Sequence, residues 1–408
     1  MIAIILVLGR GVQFERDDPH GTKGDVLSST PRGTAIVGVG ETEFKRRSDR
    51  TIEDLILEAS RSAIADAGLR PEEIDGFIPA VEHPNADALA LALGATRKFT
   101  AKPGYVAGAA TVGAVLTARL AIEAGLATNV LVYFGMKGSN EGGPYSFHAE
   151  DVAKAGFEMP FGWYGQPVYF AAWAQRYCYD FGVDPNDFAS VAVAAREWAR
   201  ISPGAQKTTP LDNAGYLASP MISTPLRAAD CCLISDGGAA YVVTSLERAR
   251  GLRHRPAVVA GVGVASTTQT LSSVFSQNPD LTQLGSRITG PIAYKEAGIG
   301  PSDVDFAQIY DCFSISLILQ LEELGFAPRG EGVAFCADGR IAPGGAFPVN
   351  TNGGHLSYAY LPGMNHVIEA VRQIRGERGE AQLKQAEVCA VAGLGGNDHA
   401  TMIVTADR

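Results

Sequence analysis

The segment Tyr105–Gly125, YVAGAATVGAVLTARLAIEAG, decides the architecture. It carries no charge before Arg119 and is rich in alanine, so length and composition predict a helix. A helix that is apolar all round must be buried on every side. Its small residues let neighbouring backbones come close. The helix is therefore expected in the centre of the fold. Val130–Phe134 is an apolar run of strand length. Upstream, Ala35–Gly40 and Gly76–Ala80 read as strands. Between them a helical period runs through Ile52, Leu55, Ile56, Ala59, Ala63 and Ile64. Thr51 with Asp54 predicts its amino-terminal cap and Gly68 its stop; Pro71 then opens a helical turn. Strand–helix–strand alternation of this kind predicts α/β layers.

The order recurs downstream. Ala257–Val264 echoes the apolar–glycine rhythm of Ala35–Gly40, a helix is expected near Gly285–Ala297, and Pro301 opens a turn as Pro71 does. Phe306–Ile309 reads as a strand, Phe313–Leu324 and Ser357–Ile374 as helices, and Val388–Gly393 with Thr401–Thr405 as closing strands. We read an internal duplication: a first half over residues 33–255 and a second over 256–408. The alternative is one doubly wound sheet with an insertion. Residues 136–225 are rich in Gly, Pro, Tyr and Trp and read as a loop insertion with helices at Pro167–Phe181 and Pro185–Arg200. Asp236–Ala240 is expected to lead into a strand at Tyr241–Thr244. Met1–Leu8 is too short to span a bilayer and lacks the basic flank of a signal peptide. Residues 1–32 are therefore expected to be a poorly ordered amino-terminal extension.

Composition narrows the function. The net charge is −10 and the longest basic cluster is Lys45-Arg46-Arg47, which argues against nucleic-acid binding. Glycine supplies 47 of 408 residues without a fixed period, which excludes collagen and favours tight helix–strand packing. Six cysteines occur without a CxxC pair, so neither a zinc ribbon nor a dithiol redox motif is expected. Adjacent Cys231 and Cys232 read as buried thiols of a reducing cytoplasm. Gly261-Val262-Gly263 reads as strand rather than a dinucleotide loop, because no helix start follows at once.

Five blocks, in order, carry a resemblance. They are Gly38-Val39-Gly40-Glu41-Thr42; Thr224-Pro225-Leu226 with Asp230-Cys231-Cys232 and Ser235-Asp236-Gly237; Tyr310-Asp311-Cys312-Phe313-Ser314; Asn352-Gly353-Gly354-His355-Leu356-Ser357; and Gly393-Leu394-Gly395-Gly396. Over residues 34–408 the chain resembles the thiolase superfamily, in particular its sterol-carrier-protein branch. The resemblance implies an α/β fold, a five-layer αβαβα sandwich of two similar halves, usually dimeric, with a CoA thioester site at their junction.

The departures from that pattern redirect the chemistry. A thiolase places a nucleophilic cysteine at the start of the buried helix, where the helix end favours the thiolate. Here Gly108 matches that position, and no cysteine precedes Cys178. Tyr310 stands for the histidine of the family's His-Asp-Cys-Phe block, and Tyr360 for the histidine of its later Gly-His-Pro block. Cys389 falls short of the carboxy-terminal catalytic cysteine, whose place Val391 or Ala392 takes. These changes together are similar to the lipid-transfer-protein-like aldolases of bacterial steroid side-chain degradation. That resemblance implies retro-aldol cleavage of a β-hydroxyacyl-CoA, a 17-hydroxy steroid thioester giving a 17-keto steroid and propionyl-CoA. It also implies a small OB-fold and zinc-ribbon partner protein.

Such a cleavage needs a base for the hydroxyl proton, fixed dipoles for the thioester enolate, and an acid that returns a proton to carbon. A phenol serves as acid or base if its surroundings lower its pKa from about 10. Tyr310 is assigned as base and Tyr360 as proton donor, with the reverse assignment open. Backbone amides at Gly108 and Gly395 are expected to cradle the enolate, and His399 to line the site. No metal or cofactor is expected; the CoA thioester is substrate. Tyr358 should point elsewhere, Asp311 should cap a helix, Cys312 should be a buried thiol, and His355 and His366 should be structural or surface groups. Two rival readings remain: an acyltransferase using Cys312 or Cys389, and a non-catalytic lipid or acyl-CoA carrier.

Overall fold

The computed structural model describes residues 33–80, 84–139, 152–163, 165–267 and 280–407. The expected extension at 1–32 and residues 140–151 of the expected insertion lie outside them. Nine strands form one continuous sheet: β1 (Thr34–Glu41), β2 (Gly76–Pro79), β3 (Phe99–Thr100), β4 (Asn129–Lys137), β7 (Asp236–Ser245), β8 (Ala257–Ser266), β9 (Phe306–Ile309), β10 (Val388–Gly395) and β11 (Asp398–Ala406). A separate ribbon pairs β5 (Met221–Ser223) with β6 (Leu226–Arg227). The spatial order is β3-β2-β4-β7-β1-β8-β11-β10-β9. Outward from β1 it runs β7, β4, β2; outward from β8 it runs β11, β10, β9, the same succession of strand roles. The two arms meet where Thr34–Ile36 pair antiparallel with Ala257–Val259.

Among the described residues, helices of eight residues or more are α1 (Ile52–Asp66), α2 (Ala86–Leu93), α3 (Ala107–Glu123), α4 (Gln166–Phe181), α5 (Ala189–Arg200), α6 (Ser286–Ala297), α7 (Ser314–Glu323) and α8 (Met364–Arg375). Helix α3 packs on β4 and β7 from one arm and on β10 and β11 from the other, and α8 likewise touches strands of both. These two helices are the middle layer. Helix α1 covers β1, β4 and β7 from outside, and α6 covers β8 and β11. The five layers follow: helix, sheet, helix, sheet, helix. The apolar character of α3 has this cause, since ten of its residues, Gly108–Val115 with Ala118 and Ala121, are buried.

Local signals act as their chemistry requires. Thr51 accepts the amide of Asp54 at 3.1 Å, and Gly68 ends α1 at φ 71°. The glycines of β1 and β8 answer one need in each arm. A Cβ on Gly40 would strike the backbone of α1 at Ala59 and Ala63, and one on Gly263 the backbone of α6 at Thr289. Two expectations need correction. Asp236 already belongs to β7, because Gly238 lies against the Leu55 carbonyl and lets the strand pass beneath α1. Ser357–Ile374 is not one helix. A single π turn spans Gly354–Tyr358, residues 359–363 are irregular, and α8 starts only at Met364, after Pro362 and after Gly363 at φ 72°. That break keeps Tyr360 off a helix.

Candidate active site

Tyr310 leaves the end of β9 under tight backbone control. Its amide donates to the Ala392 carbonyl at 3.1 Å, and its carbonyl accepts from Gln320 Nε2 at 2.7 Å and Ser316 Oγ at 3.2 Å. Tyr360 sits in the irregular stretch before α8, where its amide donates to Ser235 Oγ at 2.8 Å. The two phenol oxygens lie 2.9 Å apart, a full hydrogen bond, with the rings crossing at 73°. Tyr310 is only 3% exposed, while Tyr360 is partly buried. Tyr358 points away, as expected: its hydroxyl donates to Glu41 Oε1 at 2.6 Å, beside the Arg372–Glu41 ion pair.

The start of α3 faces this pair. A Cβ placed on Gly108 would fall on the edge of the Tyr310 ring, against Cδ2 and Cε2. The ring therefore fills the space a side chain at position 108 would need. Gly395 also approaches the same helix end, where a Cβ would strike the Val106 carbonyl. Ala107 holds φ 48°, rare for a residue with a side chain, and Val106 donates its amide to Asp398 Oδ2 at 3.1 Å. The first amides of a helix have no partner within it and carry its positive end. Gly108 thus lies beside the Tyr310 ring and Gly395 against Val106, two residues before it. His399 does not join them. It is 1% exposed, Gly285 lies against its ring, and its Nδ1 is 3.4 Å from Ser286 Oγ.

The electrostatics revise the acid–base expectation. Burial first, then Tyr360 and the neighbouring Cys312 and Cys232 thiols, push the Tyr310 phenol well above its ordinary range. Burial and the same two thiols push Tyr360 up as well, opposed by its hydrogen bond with Tyr310. Neither phenol is acidified, because burial disfavours the charged form and no cation is among the described groups that act on either. The thiols fare no better as nucleophiles. Burial raises Cys312 and Cys389 far above the thiol range and Cys231 to about 12. Cys231 and Cys232 are partly exposed rather than fully buried.

Three residues read from sequence as capping, structural or surface groups form one cluster. Asp311, His355 and His366 come together in the core beneath the phenols, with ligand-type atoms all within 4.8 Å of one another. Asp311 caps no part of α7. It accepts the amides of His355 at 2.8 Å and Leu356 at 3.4 Å, and so closes the start of the π turn. Both imidazoles are wholly buried rather than superficial. His366 Nε2 faces the Ile309 carbonyl at 2.7 Å, which requires a proton on that nitrogen and favours a hydrogen-bonded cluster over a metal centre. Forty-four residues separate Asp311 from His355, so no local spacing signals the group.

Burial also fixes an acid response. His355 and His399 are both pushed down to about 3, by burial in each case and for His355 by His366 as well, with Asp311 opposing. Below an ordinary imidazole value of 6.5 the unfolded chain binds protons at both sites and the folded chain does not, so stability falls as pH falls from 6.5 towards 3. Glu323 works in the opposite sense between 4.5 and about 7, because burial raises its carboxyl in the folded chain. Over these three groups one group's net slope remains, on the order of 1 kcal/mol per pH unit between pH 6.5 and 5, and Asp230, which burial also raises, offsets part of it. Glu323→Gln is expected to about double that slope. Urea midpoints at pH 7, 6 and 5 check both statements; equal slopes in the two proteins would refute the second.

A five-layer fold with a buried phenol pair packed against Gly108 defines a variant of the thiolase scaffold that has no thiol at that helix start. The comparisons agree. Residues 265–406 match the family described as "Thiolase C-terminal domain-like". A "Steroid side-chain-cleaving aldolase" of Thermomonospora curvata is 36% identical over 385 residues, 90% of this chain and 97% of that protein. The "17-hydroxy-3-oxo-4-pregnene-20-carboxyl-CoA lyase" of Mycobacterium tuberculosis is 36% identical over 372 residues, 88% of this chain and 96% of that one. The solved structure of an "Ltp2-ChsH2(DUF35) aldolase" superposes with TM-score 0.86 at 35% identity, covering 93% of this chain and 99% of that chain. The chain belongs to the steroid side-chain-cleaving aldolase family of the thiolase superfamily.

Proposed function

We propose that the chain is a carbon–carbon lyase that splits a β-hydroxyacyl-CoA by retro-aldol cleavage, a 17-hydroxy steroid side-chain thioester giving a 17-keto steroid and propionyl-CoA. The observation that carries the mechanism is the 2.9 Å bond between the Tyr310 and Tyr360 hydroxyls. With both phenols pushed up, a free phenolate is disfavoured, and the pair serves instead as a relay. The substrate hydroxyl passes its proton to one phenol oxygen, that phenol passes its own to the other, and the second protonates the α-carbon. Meanwhile the O–H electron pair becomes the carbonyl, the C–C bond breaks, and its electrons form the thioester enolate. Both tyrosines end neutral. Tyr310 next to the substrate hydroxyl and Tyr360 next to the α-carbon is our assignment; the chain of transfers also runs with the roles exchanged.

Amides at Gly108, in the first turn of α3, and at Gly395, the end of β10, would hold the enolate oxygen, with the helix end favouring the charge at Gly108. Protons and electrons balance within substrate and phenols, so the proposed step requires no cofactor. On a division of the chain into halves 33–255 and 256–408, with 136–225 inserted in the first, both phenols come from the second half. Gly108 and the Ser235 hydroxyl that anchors Tyr360 come from the first. We further propose a homodimer and a small OB-fold and zinc-ribbon partner. The structure described as an Ltp2–ChsH2(DUF35) aldolase supports the second, and the short edge strand β3, open on its outer side, suits the first. Among the described residues no helix is long and apolar enough to cross a membrane.

The test is direct. The chain is co-expressed with candidate partners and supplied with a 17-hydroxy steroid 20-carboxyl-CoA thioester. Mass spectrometry should then find the 17-ketone and propionyl-CoA in equal amounts. Unchanged thioester in the presence of a folded complex, or transfer of the acyl group to added CoA, would overturn the assignment.

A further inference from the structure

We propose that His355 is a positioning residue for the phenol pair: an imidazole set between Asp311 and Gly363 that fixes how Tyr310 and Tyr360 face one another. The inference rests on the relay described above. His355 is wholly buried, and its ring meets both phenols edge to face, at 4.7 Å and 75° for Tyr310 and at 5.1 Å and 76° for Tyr360. A tilt of this one ring displaces both hydroxyls.

Both ring nitrogens are held by neighbours. The Gly363 amide approaches Nε2 at 3.4 Å, and the Leu361 carbonyl and Asn365 side chain also face the ring. Nδ1 faces Asp311 Oδ1 at 3.3 Å without the alignment of a full hydrogen bond. Both contacts are long, and catalytic hydrogen bonds commonly tighten only when substrate is bound. The imidazole stays neutral, since burial holds its pKa near 3, and it therefore orients without exchanging protons. His366 stacks on the His355 ring at 4.2 Å, itself tied to Ile309 and Asp311.

The chain positions of these anchors give the arrangement its reach. Asp311 directly follows Tyr310, and Gly363 lies three residues beyond Tyr360. Gly363 also packs against Gly108 and Thr111, while Thr111 Oγ1 donates to the carbonyls of Gly108 at 3.1 Å and Pro362 at 2.6 Å. One ring thus bridges the two segments that carry the phenols and touches the loop that abuts the proposed enolate cradle. Misplacing reacting groups by about 1 Å costs on the order of 10²-fold in rate.

The experiment uses the full-length chain with 3-fluorotyrosine at position 360, read by fluorine NMR without substrate. Tyr310→Phe calibrates the shift that follows loss of the phenol–phenol bond. His355→Phe should move the resonance in the same direction by at least about half as much, the response of a hydroxyl that has lost its aligned partner. His355→Asn, which keeps a donor for Asp311, should move it less, and it carries the comparison if the phenylalanine variant does not fold. In turnover, His355→Phe should lower kcat by about 10–100-fold with KM within about threefold, and should cost less than about threefold in a Tyr360→Phe background. A wild-type resonance in both His355 variants, or the same loss in both backgrounds, overturns the proposal. Because the resonance needs no substrate, a chain that cleaves no steroid thioester would sink the assigned reaction and leave the role of His355 to be decided by the spectrum.

Discussion

Tyr310→Phe and Tyr360→Phe are each expected to lower kcat for cleavage by about 10²–10⁴-fold, the span for a lost general acid or base. Each change removes one oxygen and leaves the ring, so the packing on Gly108 and His355 persists and the fold should be kept, at a cost of about 1–3 kcal/mol for the hydroxyl left without its partner. The effects should not add. A relay through two hydroxyls at 2.9 Å is cut once by either change, and the double variant should be about as slow as the slower single one. Tyr358→Phe is the control. Its hydroxyl serves Glu41 and not the relay, so its cost should appear in stability while kcat is nearly kept. Steady-state kinetics and thermal melts of the wild type and the four variants decide the matter. A single variant as fast as wild type would remove that tyrosine from the mechanism.

Gly108→Cys should abolish cleavage without restoring acyl transfer. A side chain there meets the edge of the Tyr310 ring, and that ring is fixed by its backbone bonds to Ala392, Gln320 and Ser316. Either the ring shifts and breaks the phenol–phenol bond, or the helix start shifts and disturbs its amides. Overpacking of this kind costs about 1–3 kcal/mol, and the misaligned relay about 10² or more in rate. Gly108→Ala should do nearly as much harm, since the first added carbon already collides. Nor would the new thiol acylate, because the family's two histidines remain tyrosines. Labelled acetyl-CoA followed by peptide mapping should find no acyl group at position 108. Cleavage at wild-type rate in Gly108→Ala would show that the ring yields freely and that glycine is dispensable here.

The layers were legible because local chemistry repeats in both arms: apolar strands with glycines facing a helix, capped helices, and one helix apolar all round. The phenols were legible only through resemblance. Nothing about Tyr310 or Tyr360 distinguishes them among thirteen tyrosines except that each takes the place of a family histidine. What sequence did not disclose depends on packing across long separations. The Asp311–His355–His366 cluster joins segments that only the completed sandwich brings together. The upward shift of both phenols follows from burial and from two thiols, Cys232 and Cys312, that sit eighty residues apart in sequence. The helical period at Ser357–Ile374 concealed the break that frees Tyr360, because Gly354–Tyr358 winds as a π turn. His399 follows the glycine strip in sequence, yet its ring settles against Gly285 and Ser286.

The two phenols lie fifty residues apart in the arm begun by β8, while Gly108 projects from the arm begun by β1. The machinery for moving hydrogen thus lies in one stretch of the gene, while the proposed seat of the nascent anion is shared between both, through Gly108 and Gly395. Neither stretch alone can inherit the reaction. A change in the opening stretch reaches the bond-breaking apparatus through that shared seat.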